Sequence, residues 1–128
     1  MIIGIRTDII NNQRRQNSLK KFGNKFKNRC FLKNEIIKSE NSKNSANFFA
    51  KRYAAKEACA KALGTGLAKG IFWKDIEVLN NDNGKPYIKL HNNALIKLKE
   101  LSNKECGIEV SLSDEKNYSI ANVVIFEI

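Results

Sequence analysis

Residues 46–66 read Ala-Asn-Phe-Phe-Ala-Lys-Arg-Tyr-Ala-Ala-Lys-Glu-Ala-Cys-Ala-Lys-Ala-Leu-Gly-Thr-Gly, and this stretch carries the strongest helix signal of the chain. Alanine is the best helix former, Ser45 is an N-cap residue type, and Gly64 stands where a C′ glycine ends a helix. A helix is therefore expected from Ala46 to Leu63. At about 100° per residue, Phe49, Tyr53 and Ala60 form one stripe, and Glu57 falls inside it. Lys61 follows Glu57 by one turn, while Arg52 and Lys56 form a second one-turn pair on the flank. A carboxylate in an aromatic stripe is out of place as a freely solvated charge. A Glu–Lys pair at i,i+4 is also the ordinary helix-surface ion pair, contributing only a few tenths of a kcal/mol, and this alternative stays open at the level of spacing.

Downstream of the helix, residues 75–80 and 86–91 read as strands joined at Asn83-Gly84, a hairpin-turn signal. Asn92 or Asn93 is expected to cap a helix through Leu95, Leu98 and Leu101. Residues 108–113 and 118–127 read as an antiparallel pair. Upstream, residues 1–8 read as a strand ending at Asp8. Residues 13–28 read as one cationic amphipathic helix with Leu19, Phe22 and Phe26 at helical spacing, and a short helix follows around Glu35–Lys38 before a loop at 39–45. Strands and helices do not alternate strictly, so the expected class is α+β, a mostly antiparallel sheet packed against the long helix.

A chain of 128 residues with 42% hydrophobic content fits one compact domain, residues 1–128. Its 23 Lys+Arg against 13 Asp+Glu give a formal charge of +10, a surface that attracts anions: nucleic acid, phosphorylated cofactors, acidic proteins or anionic membranes. A lysine- and asparagine-rich composition bias with no partner implied gives the same sign. Cysteines 30, 59 and 106 have neither disulfide-framework nor zinc-site spacing. No stretch reaches the roughly 20 apolar residues of a membrane span, and Met1–Asp8 lacks the features of a signal peptide. A cytoplasmic protein that does not enter a membrane is expected.

Two further features bear on chemistry. Asp8 ends an apolar strand, where it serves either as a helix N-cap or as an active-site carboxylate. A Mg²⁺ ion takes oxygen ligands, commonly one or two carboxylates plus substrate phosphates; Asp8 and Glu57 supply two carboxylates if the fold brings them together. Leu63-Gly64-Thr65-Gly66, followed by Lys69, is a loop whose backbone N–H groups can approach phosphate oxygens, although such glycines also occur at ordinary helix exits. It is not a Walker loop, because G-x-x-x-x-G-K-[ST] is absent.

Phe49-Ala-Lys-Arg-Tyr-Ala-Ala-Lys-Glu57-Ala-Cys-Ala-Lys61-Ala-Leu-Gly-Thr-Gly66 closely resembles the signature block of the bacterial holo-acyl-carrier-protein synthases, within the 4′-phosphopantetheinyl transferases. Gly4-Ile-Arg-Thr-Asp8-Ile, Asp75-Ile-Glu-Val78, Asn83-Gly-Lys-Pro86 and Val110-Ser-Leu-Ser-Asp114 resemble the family's other motifs, in the same order. The resemblance implies a homotrimer of α+β subunits with active sites at subunit interfaces. It implies Mg²⁺-dependent transfer of 4′-phosphopantetheine from coenzyme A to a serine of an acidic acyl carrier protein, in fatty acid biosynthesis. By position, Asp8 and Glu57 match the family's Mg²⁺ ligands and Lys61 its catalytic lysine, with Glu57 the candidate general base. Arg52, Lys61, Gly64, Thr65, Gly66, Pro86, Ser111, Ser113 and Asp114 fall on segments that line the coenzyme A site. Arg14 matches a carrier-contacting arginine, and the basic run from Arg14 to Arg29 is expected to face the carrier. Arg6 stands in place of a glycine, Asn11-Asn12 in place of Glu-Ile, and Asp114 where many members have histidine. His91 lies outside the motifs.

A nucleic-acid-binding module is the rival class. Charge supports it, yet no RNP-type aromatic motif, zinc finger or base-stacking repeat is present. A non-catalytic structural oligomer leaves Asp8, Glu57 and Lys61 unexplained.

Overall fold

The computed structural model describes residues 1–128. In chain order it comprises β1 (Ile2–Asn11), α1 (Asn12–Phe22), α2 (Asn24–Cys30), α3 (Lys33–Glu40), α4 (Ser45–Ala62), a 3₁₀ turn (Trp73–Asp75), β2 (Ile76–Asn80), β3 (Pro86–Leu90), α5 (Asn92–Glu100), β4 (Cys106–Asp114) and β5 (Tyr118–Glu127). The strands form an antiparallel sheet in the order β1-β5-β4 and a separate antiparallel hairpin, β2-β3. The α+β class expected from the sequence is the class observed.

The centre of the molecule is α4. Its small residues Ala54, Ala55, Ala58, Cys59 and Ala60 are fully buried, because the helix packs against β1 and β5 on one side and against β2, α1 and α3 on others. Along β5, Ser119, Ala121, Val123 and Ile125 are buried while the residues between them are not. That period of two turns one face of the sheet toward α4. Glycine 4 allows the closest approach: a Cβ there would lie 2.5 Å from the Ala62 carbonyl oxygen. β1 therefore runs directly against the last turn of α4.

No helix packs on the opposite face of the sheet. Directly paired residues share a face, so the pairs Ile5–Val124, Thr7–Asn122 and Ile9–Ile120 all lie there, as do Ser111 and Ser113 of β4. Ile5 and Ile9 are 66% and 63% exposed.

Both charges expected on the flank of α4 are buried. The Lys56 ammonium donates to Glu35 Oε1 (2.7 Å), the Trp73 carbonyl (3.0 Å) and the Ile76 carbonyl (2.7 Å). Glu35 also accepts from the Leu32 and Val78 backbone N–H groups. This satisfied pair joins α3, α4, the 3₁₀ turn and β2. Arg52 donates to Asn80 Oδ1 at 2.6 Å and stacks over Phe48.

Several local expectations are corrected. β1 continues beyond Asp8 to Asn11, held by pairing with β5 through Tyr118, so Asp8 is a strand residue and not a cap. The cap of α1 is Asn11, whose side-chain oxygen accepts from the Gln13 and Arg14 N–H groups. Asn12 is buried, donating to the Glu115 and Lys116 carbonyls and accepting from Ser119; the two asparagines thus close this end of the sheet. The basic segment is two helices, broken at Gly23 (φ +52°), and Phe22 is exposed. The helix expected around Glu35–Lys38 spans Lys33–Glu40, and Asn44, not Ser45, caps α4. The β2-β3 connection is as expected a turn through Asn83-Gly84, spanning residues 81–85 and closed by hydrogen bonds between Asn81 and Lys85, with Gly84 at φ +88°. Neither Asn92 nor Asn93 caps α5: His91 holds that position without a side-chain bond, while the Asn92 amide donates to Asp75.

Candidate functional site

Where β1 passes the C-terminal half of α4 and the start of α1, a polar cavity of about 360 Å³ opens, lined by Asp8, Arg14, Arg15, Tyr53, Glu57 and Lys61 among others. Each element delivers its residues for a local reason. Even-numbered residues of β1 face α4, which brings Asp8 inward opposite Ala121. Tyr53, Glu57 and Lys61 follow one another by single turns of α4. The Asn11 cap starts α1 at the rim and sets Arg14 and Arg15 there.

Lys61 pairs with Asp8 at 2.8 Å, and not with its helical neighbour Glu57. Asp8 is largely buried and its second oxygen, Oδ2, has no hydrogen-bond partner. Glu57 makes no salt bridge. Burial pushes its carboxyl pKa upward, the Asp8 charge adds to that, and Lys61 and Arg15 oppose it. Two carboxylates therefore sit within electrostatic reach of each other, one with an orphaned buried oxygen. That donor set suits a hard cation such as Mg²⁺, which binds oxygen and completes its shell with water and substrate phosphates. No cluster of three or more His, Cys, Asp or Glu side chains exists that would make a closed protein cage.

Tyr53 is the fixed wall of the cavity. Its ring stacks on Trp73 at 4.3 Å and on Phe26 at 5.8 Å. Arg15 lies over the same ring, with the guanidinium carbon 4.5 Å from the centroid.

The remaining predicted site residues lie elsewhere on the chain. Arg52 is buried beside Asn80, in a small pocket that also includes Asn34 and Lys38. Burial pulls its pKa down to about 10 against the pull of the Glu35 charge, and its Nε–H has no partner. Pro86 opens β3 opposite Asn80. Thr65, in the Gly64–Gly66 loop, borders a separate cavity with Lys69, Asn93 and Lys97; both glycines have positive φ, which keeps the loop tight. Ser113 and Asp114 border a groove with Ile9, Tyr118 and Ile120. Asp114 pairs with Lys51 at 3.4 Å and accepts from Asn47. Ser111 and Ser113 lie on the sheet face opposite to Asp8. The chain thus gathers Asp8, Glu57, Lys61 and Arg14 and leaves the other residues dispersed. The sequence reading did not single out Arg15 within its basic run; no periodicity distinguishes an inward arginine from its neighbours there.

A family model described as the 4′-phosphopantetheinyl transferase superfamily matches residues 4–123. The chain is 49% identical over 127 residues to the holo-[acyl-carrier-protein] synthase of Rhizobium meliloti (strain 1021), covering 98% of this chain and 91% of that protein. The crystal structure of holo-[acyl-carrier-protein] synthase from Neisseria meningitidis superposes with a TM-score of 0.87 at 35% identity, covering 99% of this chain and 100% of the other. The holo-(acyl-carrier-protein) synthase of Bacillus anthracis str. Ames in complex with CoA (3′,5′-ADP) superposes with a TM-score of 0.80, also at 35% identity, covering 98% and 96%.

Proposed function

The chain belongs to the 4′-phosphopantetheinyl transferase superfamily, and from that premise we propose that it is a holo-acyl-carrier-protein synthase, a single catalytic domain acting as a homotrimer. It moves 4′-phosphopantetheine from coenzyme A to a serine of an acidic apo acyl carrier protein. The observation that carries the reading is the cavity itself: an orphaned buried Asp8 oxygen beside Glu57 and Lys61, all on motif positions.

In the reaction, the serine Oγ attacks the β-phosphorus of coenzyme A. The bond from that phosphorus to the bridging oxygen breaks, and adenosine 3′,5′-bisphosphate leaves. Phosphoryl transfer asks the protein mainly for positioning and charge neutralisation. Asp8 and Glu57 are the residues to hold a Mg²⁺ ion, which when bound supplies positive charge to the phosphate oxygens. Glu57, free of internal hydrogen bonds and with a raised pKa, is the group to accept the serine proton. Lys61, 40% exposed at the cavity mouth, has ammonium protons to give to the departing phosphate.

Arg52, with its unpartnered buried Nε–H, Pro86, the Gly64–Gly66 loop and Ser111, Ser113 and Asp114 are assigned to coenzyme A. Ser111 and Ser113 face away from Asp8 in one subunit, which supports a site completed by a neighbouring copy across the uncovered sheet face. Arg14, exposed at the rim, is assigned to the carrier, and the positive charge of α1 and α2 to steering it.

The test is incubation with apo carrier, coenzyme A and Mg²⁺, followed by mass spectrometry of the carrier. A mass gain equal to phosphopantetheine is expected, dependent on Mg²⁺. An unchanged carrier mass overturns the assignment.

A further inference from the structure

Of the two arginines at the rim, Arg14 is exposed and Arg15 is half-buried. Arg15 lies over Tyr53, its guanidinium carbon 4.5 Å from the centroid of a ring already held by Trp73 and Phe26. Its Nε–H is buried and has no hydrogen-bond partner. No salt bridge joins it to Glu57 or Asp8, although it lines the same cavity; the Asp8 carboxylate is paired with Lys61 instead. A buried donor without an acceptor is costly when nothing ever fills the place. The cost is sensible where a substrate oxygen arrives. A guanidinium fixed against an aromatic face has lost most of its freedom beforehand, and its planar fork of donors suits phosphate oxygens.

We infer that Arg15 is a phosphate-contacting residue of this cavity, a second cationic contact beside Lys61 for the pyrophosphate of the substrate. The inference rests on the proposed reading of the cavity as the phosphoryl-transfer site. It separates Arg15 from the carrier-facing charge of α1 and α2, to which its sequence position alone would assign it.

The experiment titrates inorganic pyrophosphate, in Mg²⁺ buffer, into the wild-type protein and into Arg15→Met, Arg15→Lys and Lys61→Met by calorimetry. Melting temperatures and separate KM values for coenzyme A and for carrier are measured alongside. Methionine keeps a long apolar stem over Tyr53, so Arg15→Met should melt close to the wild type while binding pyrophosphate at least tenfold more weakly. Arg15→Lys should recover only part of that loss, because the fork is gone. KM for coenzyme A should rise and KM for carrier should stay. Should Arg15→Met fold poorly, Arg15→Gln carries the same comparison. Unchanged pyrophosphate affinity in Arg15→Met with a loss in Lys61→Met would overturn the role of Arg15 alone. A rise confined to the carrier KM would return Arg15 to the docking face. No pyrophosphate binding to the wild type, or no loss in either variant, would overturn both this inference and the phosphate reading of the cavity.

Discussion

Lys61 shows how much a single contact changes a reading. One turn from Glu57, it has the spacing of a helix-surface ion pair, yet its partner is Asp8, on a strand 53 residues earlier. Replacing it with arginine keeps the charge but substitutes a wide, strongly basic guanidinium for a compact ammonium. In Lys61→Arg, kcat is expected to fall at least tenfold, about 1.4 kcal/mol of transition-state stabilisation. The pair is partly exposed, so the melting temperature should shift little. An unaltered kcat in Lys61→Ala would make the lysine structural only. Cysteine 59 gives a second test at this scale. Burial raises its thiol pKa from the ordinary 9.0 to about 12. The unfolded chain then ionises this thiol above pH 9 while the folded chain does not. The stability this group contributes is complete below pH 9 and is lost between pH 9 and 12, at about 1.4 kcal/mol per pH unit. Urea titrations at pH 8 and pH 10 should show a smaller alkaline loss in Cys59→Ala. In the native protein at pH 8, a thiol reagent should modify Cys106, which is partly exposed, well before Cys59.

Between elements, the strongest polar connection is Lys56 with Glu35. Both side chains are fully buried, and burial lowers the Lys56 pKa while Glu35 holds it up. Four segments meet at this pair, so it fixes where the β2-β3 hairpin sits against α4 and, with it, the Arg52–Asn80 contact. Removing one partner strands a buried charge. Glu35→Leu is expected to lower unfolding free energy by about 3–5 kcal/mol, read from urea denaturation. The double change Glu35→Leu with Lys56→Met removes both charges and should recover much of the loss. If the double variant is no more stable than the single one, the two side chains do not act as a unit. The hydrophobic pattern of α4 says little of this, because the helix is surrounded and shows no single wet face.

For the whole molecule, the informative surface is the uncovered side of the β1-β5-β4 sheet. An antiparallel sheet can leave one face in water, but this one presents Ile5 and Ile9 together with Ile120 and Val124, around a central Thr7–Asn122 hydrogen bond of 2.6 Å. The proposed trimer buries this face and joins Ser111 and Ser113 of one copy to the cavity of another. Ile9→Glu places a charge in that contact. It should sediment as a smaller species than the wild type, keep its circular dichroism, and lose transferase activity. A fully active monomeric variant would mean that one subunit holds a complete site.

The long central helix, its alanine-rich buried side, the terminal antiparallel strands and the motif residues were legible in the sequence. Each is written in local propensity or in a contiguous block such as Phe49–Gly66. The same block carried the family, and with it the expectation that Asp8, Glu57 and Lys61 act together. What remained illegible depends on residues far apart in the chain. β1 outruns Asp8 because β5 pairs with it to Asn11. Lys56 is buried because Glu35 and two carbonyls converge on it. Lys61 turns to Asp8 because Gly4 lets β1 approach the Ala62 carbonyl, and Arg15 turns inward because Tyr53 offers it a face. Local propensity and periodicity register only a residue's near neighbours along the chain. Which charge meets which, and which polar atom is left without a partner, was decided only when strand, helix and hairpin packed.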